Sequence, residues 1–293
     1  MSYNFQRIFH TSRTLLIALT VLCAFSIFVH ADGTKTAEEL AAGMPKSGVC
    51  AHRGDNACFP ENTVPAFIAA VEKGAQMIEF DVKPCKTGEL IIMHDATVDR
   101  TTNGTGAVAD LTFDEIRALD AGIKKDAKFA GTKVPTFEEA LACIPKEGVW
   151  INIHCGGKIE EIAQIVKREG RLHQAFISTS LSGIARARAV VPEILACNMS
   201  RTGNWKDPWT AEQNLKYATQ TIENKCQFLQ LVPVCTACEA KLLHDNGVMI
   251  NYTICNNPNK LEEVLKMGVD FPLTDNLDAI LKKRAELLGE TEK

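Results

Sequence analysis

From residue 49 onward, short runs rich in Val, Ile and Phe alternate with longer stretches of helical periodicity, and this alternation constrains the fold more than any other feature of the 293-residue chain. Strand-like runs fall at 49–52, 77–82, 90–94, 149–155, 175–179, 194–200, 228–232, 248–254 and 271–274. Helical stretches fall at 63–73, 113–121, 136–144, 159–169, 181–191, 210–224, 237–245, 259–267 and 276–288. Strand, helix, strand in regular succession is the signature of a parallel sheet wrapped by helices. The second and third runs break the rule, because only a few residues around Lys86-Thr87-Gly88-Glu89 join them. That link is too short for a parallel crossover, so the two runs form an antiparallel hairpin. Eight strands remain, and eight βα units need about 250 residues. The expected fold is α/β: an eight-stranded parallel β/α (TIM) barrel with an inserted β-hairpin after the second strand. No charge run or low-complexity linker divides it, so residues 32–293 are expected to form one domain.

The residues before it read differently. Arg7 and Arg13 precede a mostly apolar run at 15–29, followed by Val29-His30-Ala31. This is the pattern of a secretory signal peptide over residues 1–31, and the run is shorter than the roughly 20 residues that span a bilayer. The expected product is secreted or periplasmic, with no stable membrane anchor after cleavage. Its formal charge would move from −4 to −6, since two arginines and no acids are removed. A mildly acidic chain has no electrostatic reason to hold nucleic acid. Of the eleven cysteines, Cys50, Cys155 and Cys197 lie in apolar runs that suit buried thiols. Export would permit one or two bridges, with Cys58 and Cys85 as a pair and Cys235-x-x-Cys238 as a loop bridge or free thiols.

Three short motifs at strand ends carry the chemistry: His52-Arg53-Gly54, Glu79-Phe80-Asp81 and His94-Asp95. Histidine moves protons near neutral pH. A Glu-x-Asp pair on a strand turns both carboxylates to one face, where they hold a divalent cation. Arg53 adds a cationic fork for a phosphate. Two acid/base groups, a metal and an arginine fit phosphodiester cleavage.

The stretch from Ala51 to Gly106 resembles the glycerophosphodiester phosphodiesterase family. The likeness lies in His52-Arg53-Gly54, Pro60-Glu61-Asn62-Thr63, Ile78-Glu79-Phe80-Asp81-Val82 and the run from His94-Asp95 to Arg100-Thr101-Thr102-Asn103-Gly104. It continues through Val134-Pro135-Thr136, Gly268-Val269-Asp270 and Thr274-Asp275. The resemblance implies a β/α barrel that hydrolyses glycerophosphodiesters to an alcohol and glycerol phosphate with one divalent metal ion, Ca²⁺ or Mg²⁺. It implies His52 and His94 as general acid and base, Arg53 as the phosphate grip, and Glu61 in substrate binding through the loop it shares with Arg53. The partner implied is a small-molecule phosphodiester.

The chain also departs from that family. Where the family reads Asn-Ile-Glu-x-Lys, this strand reads Asn152-Ile153-His154-Cys155-Gly156. The expected metal set is Glu79, Asp81 and His154, one charge less negative and tilted toward Zn²⁺ or Mn²⁺; the alternative is that His154 hydrogen-bonds the phosphate or fills space while the two carboxylates alone hold the metal. Tyr252 stands where the family places tryptophan and is expected to wall the substrate pocket. Trp205 and Trp209 share a rim loop that either covers the substrate, with Trp205 at it, or is packed by its tryptophans onto its own barrel. Two other functions compete with the hydrolase: a phospholipase D-like lyase forming cyclic phosphate, and a non-catalytic phosphodiester-binding relative.

Overall fold

The computed structural model describes residues 37–200, 209–231, 237–252 and 254–290. Residues 1–31 of the expected signal peptide, Trp205, Cys235 and the side chain of Tyr252 lie outside them. Thr36–Lys293 forms one compact unit.

The elements follow in the order α1 (Ala37–Ala42), β1 (Cys50–His52), α2 (Val64–Glu72), β2 (Met77–Pro84), β3 (Leu90–Ile92), α3 (Phe113–Ala118), α4 (Phe137–Cys143), β4 (Trp150–Cys155), α5 (Ile159–Arg168), β5 (Ala175–Thr179), α6 (Leu181–Val190), β6 (Leu195–Asn198), α7 (Ala211–Glu223), β7 (Phe228–Leu231), α8 (Ala237–Asp245), β8 (Met249–Tyr252), α9 (Pro258–Lys266), β9 (Phe271–Thr274) and α10 (Leu277–Leu288). Eight strands pair in parallel in the ring β1-β2-β4-β5-β6-β7-β8-β9, and β9 returns to β1. β3 is antiparallel to the far end of β2, with Val82 opposite Ile92 and Pro84 opposite Leu90. On that edge of β2 it takes over where β1 stops at His52. This is the barrel and hairpin expected from the alternation.

Period-two alternation sorts each strand between two environments. Ile78, Phe80 and Val82 of β2, Ile151 and Ile153 of β4, and Ile177 of β5 join a core shared with the helices. The opposite residues face the barrel interior in layers. Cys50, Met77, Trp150, Phe176, Cys197, Phe228 and Phe271 form an apolar plug, in which the Phe176 and Phe228 rings stack at 3.9 Å. Above it stands a polar layer: Ser178 Oγ donates to Asn152 Oδ1 (2.5 Å) and Asn251 Nδ2 donates to Gln230 Oε1 (3.0 Å). The functional side chains crown this layer at the C-terminal strand ends.

Residues between β3 and α4 pack a small core of their own. Cys85, Ile91, Met93, Val98, Val108, Ile116 and Val134 bury one another beside the barrel mouth. Capping boxes start the two helices of this region, Thr112 with Glu115 and Thr136 with Glu139. They satisfy amide groups that the first helical turn leaves open.

The expected bridge between Cys58 and Cys85 does not form. Both are free thiols, Cys58 exposed and Cys85 buried in the small core within reach of Thr87 and Glu89. The nine described cysteines are all free, and Cys155, Cys197 and Cys226 are held as neutral thiols by burial.

Candidate active site

Glu79 and Asp81 sit two apart on β2, and the β2–β4 register sets Asp81 opposite His154. Glu79 Oε1 lies 3.0 Å from His154 Nδ1, and Asp81 Oδ1 lies 3.8 Å from the same nitrogen. One ligand atom from each residue falls within 4.8 Å of the others. Glu79 is fully buried, and desolvation followed by repulsion from Asp81 raises its carboxyl well above the usual carboxylate range. Burial lowers the His154 pKa, so the imidazole keeps a lone pair at neutral pH. Glu79 Oε1 is buried with no hydrogen-bond donor. Two carboxylate oxygens and a neutral ring nitrogen around an unsatisfied buried oxygen are a donor set that fits a divalent cation.

Both catalytic-type histidines are fixed through the same ring atom. His52 Nδ1 donates to Asp275 Oδ1 at 2.6 Å, which leaves Nε2 free, 3.9 Å from Glu79 Oε2. Asp275 also accepts from Asn56 Nδ2 (2.6 Å) and Asn256 Nδ2 (2.8 Å). Burial would raise its carboxyl, but these donors outweigh it and hold Asp275 well below the usual range. A carboxylate that stays ionised admits only the Nδ1–H tautomer of His52. His94 repeats the pattern: Nδ1 donates to Asp95 Oδ1 at 2.7 Å. Arg100 reaches both Asp95 oxygens (2.6 and 3.0 Å) and holds that carboxyl well below the usual range.

Arg100 turns its other face to Glu61, with Nη1 to Oε2 at 2.6 Å and Nη2 to Oε1 at 2.8 Å. Glu61 accepts from Arg53 Nη1 as well, at 2.9 Å. The chain from His94 to Arg53 is thus one ionic network spanning the β1–α2 and β3–α3 loops. The β1–α2 turn is tight enough to need left-handed backbone at Arg53 (φ 57°), Gly54 (φ 78°) and Asn62 (φ 56°). That turn aims the Arg53 amide at Glu79 Oε2 (3.0 Å) and Asn62 Nδ2 at Asp81 Oδ2 (2.9 Å). Both candidate ligand carboxylates are oriented from the same loop.

Residues 52–279 match the profile of the Glycerophosphoryl diester phosphodiesterase family. A glycerophosphodiester phosphodiesterase from Caldanaerobacter subterraneus subsp. tengcongensis is 32% identical over 246 residues, 80% of this chain and 97% of that one. The chain belongs to the glycerophosphoryl diester phosphodiesterase family. It is accordingly an enzyme of the phosphoric diester hydrolase class. Solved structures agree in fold. The glycerophosphodiester phosphodiesterase of Agrobacterium tumefaciens superposes with a TM-score of 0.66 at 24% identity, covering 80% of this chain and 99% of that one. An Oleispira antarctica phosphodiesterase, solved with its product sn-glycerol-3-phosphate, gives 0.69 at 22%, covering 85% and 99%.

Within this phosphodiesterase the structure brings His52, Arg53, Glu61, Glu79, Asp81 and His154 to one end of the barrel, with His94 tied to them through Arg100 and Glu61. Tyr252 ends β8 on the same rim. Trp209, from the loop expected to cover substrate, packs edge-on against Tyr217 of α7 at 5.3 Å. Lys158 does not reach the site, since its ammonium donates to Gly88 O (2.6 Å) and pairs with Glu161 (2.8 Å). Asp275, Asp95 and Arg100 are the orienting residues that sequence reasoning left without a role. Asp275 directly follows β9, so its place at a C-terminal strand end was the available signal.

Proposed function

We propose that the enzyme hydrolyses glycerophosphodiesters to an alcohol and glycerol 3-phosphate, with His52 and His94 exchanging protons at Nε2. The observation that carries this reading is the shared arrangement of the two imidazoles. Each has Nδ1 committed to an ionised aspartate and Nε2 left free. An Nδ1–H tautomer fixed in this way is the form able to take a proton at Nε2 and return it. One histidine accepts the proton of the substrate's own glycerol hydroxyl as its oxygen bonds to phosphorus; the other protonates the departing alcohol oxygen as its bond to phosphorus breaks. With roles exchanged, the pair then activates water to open the resulting cyclic phosphate.

Glu79, Asp81 and His154 hold the divalent metal, which supplies charge neutralisation at the phosphoryl oxygens. Two carboxylates and one neutral imidazole favour Zn²⁺ or Mn²⁺ over Ca²⁺ or Mg²⁺. Arg53 faces the phosphate, with Glu61 fixing its guanidinium. Residues 1–31 direct export, and the mature enzyme from Asp32 is secreted or periplasmic.

The deciding experiment measures glycerol phosphate release from glycerophosphocholine and glycerophosphoethanolamine with each of the four metals, beside His52→Ala and His94→Ala. Metal-dependent release lost in both variants is the expected result. Accumulation of cyclic phosphate would make the enzyme a lyase, and no turnover with any metal would reject catalysis.

A further inference from the structure

Lys83 lies on β2 two residues beyond Asp81, so strand alternation places it on the face of Glu79 and Asp81. It is half-buried. Other lysines near this end of the barrel are committed: Lys73 lies between Asp55 (2.7 Å) and Asp278 (2.8 Å), and Lys158 is held by Gly88 and Glu161. Among the described residues, no carboxylate, carbonyl or aromatic ring takes up the Lys83 ammonium. A half-buried cation with three unspent donors costs stability until an anion arrives.

Its position is set by Gly156, two residues beyond His154 on the same face of the β4 strand line. Gly156 N donates to Val82 O at 2.8 Å, clamping the two strands where Lys83 begins. A Cβ at position 156 would lie 2.8 Å from Lys83 Cγ and 3.2 Å from its Nζ. The Lys83 side chain therefore fills the space that any side chain at 156 would need. Arg53, another cation at the mouth, has Nη1 bound to Glu61 and Nε turned toward Asp81 at 3.6 Å.

We propose that Lys83 is a phosphate-binding residue of this enzyme, reaching the substrate's phosphoryl oxygens across Gly156 from beside the Glu79–Asp81–His154 cluster. The assignment rests on the hydrolase reading for its substrate, but its own test is a binding measurement. A neutral side chain of similar length removes the charge without removing any hydrogen bond within the protein.

The experiment titrates the full-length Mn²⁺-loaded chain with sn-glycerol 3-phosphate by calorimetry, for wild type, Lys83→Met and Lys83→Arg, alongside Mn²⁺ affinity and melting temperature. Lys83→Met should weaken glycerol phosphate binding about tenfold or more, as loss of a charge-assisted contact does. It should hold Mn²⁺ within about twofold and keep or raise the melting temperature, while Lys83→Arg retains most of the affinity. Unchanged glycerol phosphate affinity in Lys83→Met would overturn the proposal, as would a lower melting temperature with affinity retained, the signature of a purely structural lysine. Should Lys83→Met not fold, Lys83→Gln gives the same reading. Absence of turnover in the wild type would count against the hydrolase reading alone, because the binding comparison judges Lys83 independently.

Discussion

Asp275 holds His52 in one tautomer, and an amide in its place can present either an oxygen or an NH2 to the ring. Asp275→Asn should therefore lower kcat by roughly a hundredfold or more with KM changed only a few-fold, since the misplaced proton matters in the transition state. Steady-state kinetics on glycerophosphocholine would check this, and parallel losses in kcat and affinity would contradict it. The proposed metal ligands make a second prediction at the same scale. Glu79 is pushed upward by burial and by Asp81, so near pH 6 it carries a proton that a cation must displace. His154 is shifted downward by burial, so its ring gives up its proton more readily than an ordinary histidine. The sign follows: raising the pH removes the competing proton from Glu79, and loss of any proton from His154 acts in the same direction. Metal affinity should climb from pH 6 to pH 8, with proton release on binding detectable by calorimetry in buffers of different ionisation enthalpy. A pH-independent affinity would show that Glu79 is already ionised before the metal binds.

Loops and caps carry the site at the scale of elements. The β1–α2 turn supplies Arg53, Glu61 and Asn62, and Gly54 lets it close: φ is 78°, and a Cβ there would come within 2.7 Å of the Ala66 carbonyl. Gly54→Ala should cost about 2 kcal/mol or more, combining left-handed strain with a backbone clash, and should lower activity as the turn shifts. Chemical denaturation and kinetics on the same sample would test both halves. The capping box on α4 makes a milder claim. Thr136 Oγ1 accepts from Glu139 N at 3.1 Å while Glu139 Oε2 accepts from Thr136 N at 2.9 Å. Thr136→Ala should destabilise by about 1 kcal/mol without touching catalysis, because α4 packs on the outside of the barrel. A drop in kcat would mean that the small core beside the mouth transmits strain to His94.

The whole molecule is a barrel whose apolar plug supports a polar layer and then the reacting groups. Phe228→Ala opens that plug beneath the polar layer and should cost about 3–5 kcal/mol, read from denaturant midpoints. Since the nine described cysteines are free, at least nine thiols should react in denaturant without prior reduction, and thiol counting checks this. How much of this architecture the sequence determined can be read from particular residues. Hydrophobic runs of period two and the too-short link at 86–89 determine eight parallel strands with one hairpin, because alternation follows from local backbone geometry. The same alternation puts Glu79 with Asp81, and Asn152 with His154, on inward faces. No local rule pairs His52 with Asp275 across 223 positions, or Arg100 with Glu61 across 39. Nor does one exclude Cys58 from Cys85, which share a rim yet point into different surroundings. Those relations belong to the tertiary structure, since barrel closure and loop path set side-chain distances that leave no periodic trace in the chain.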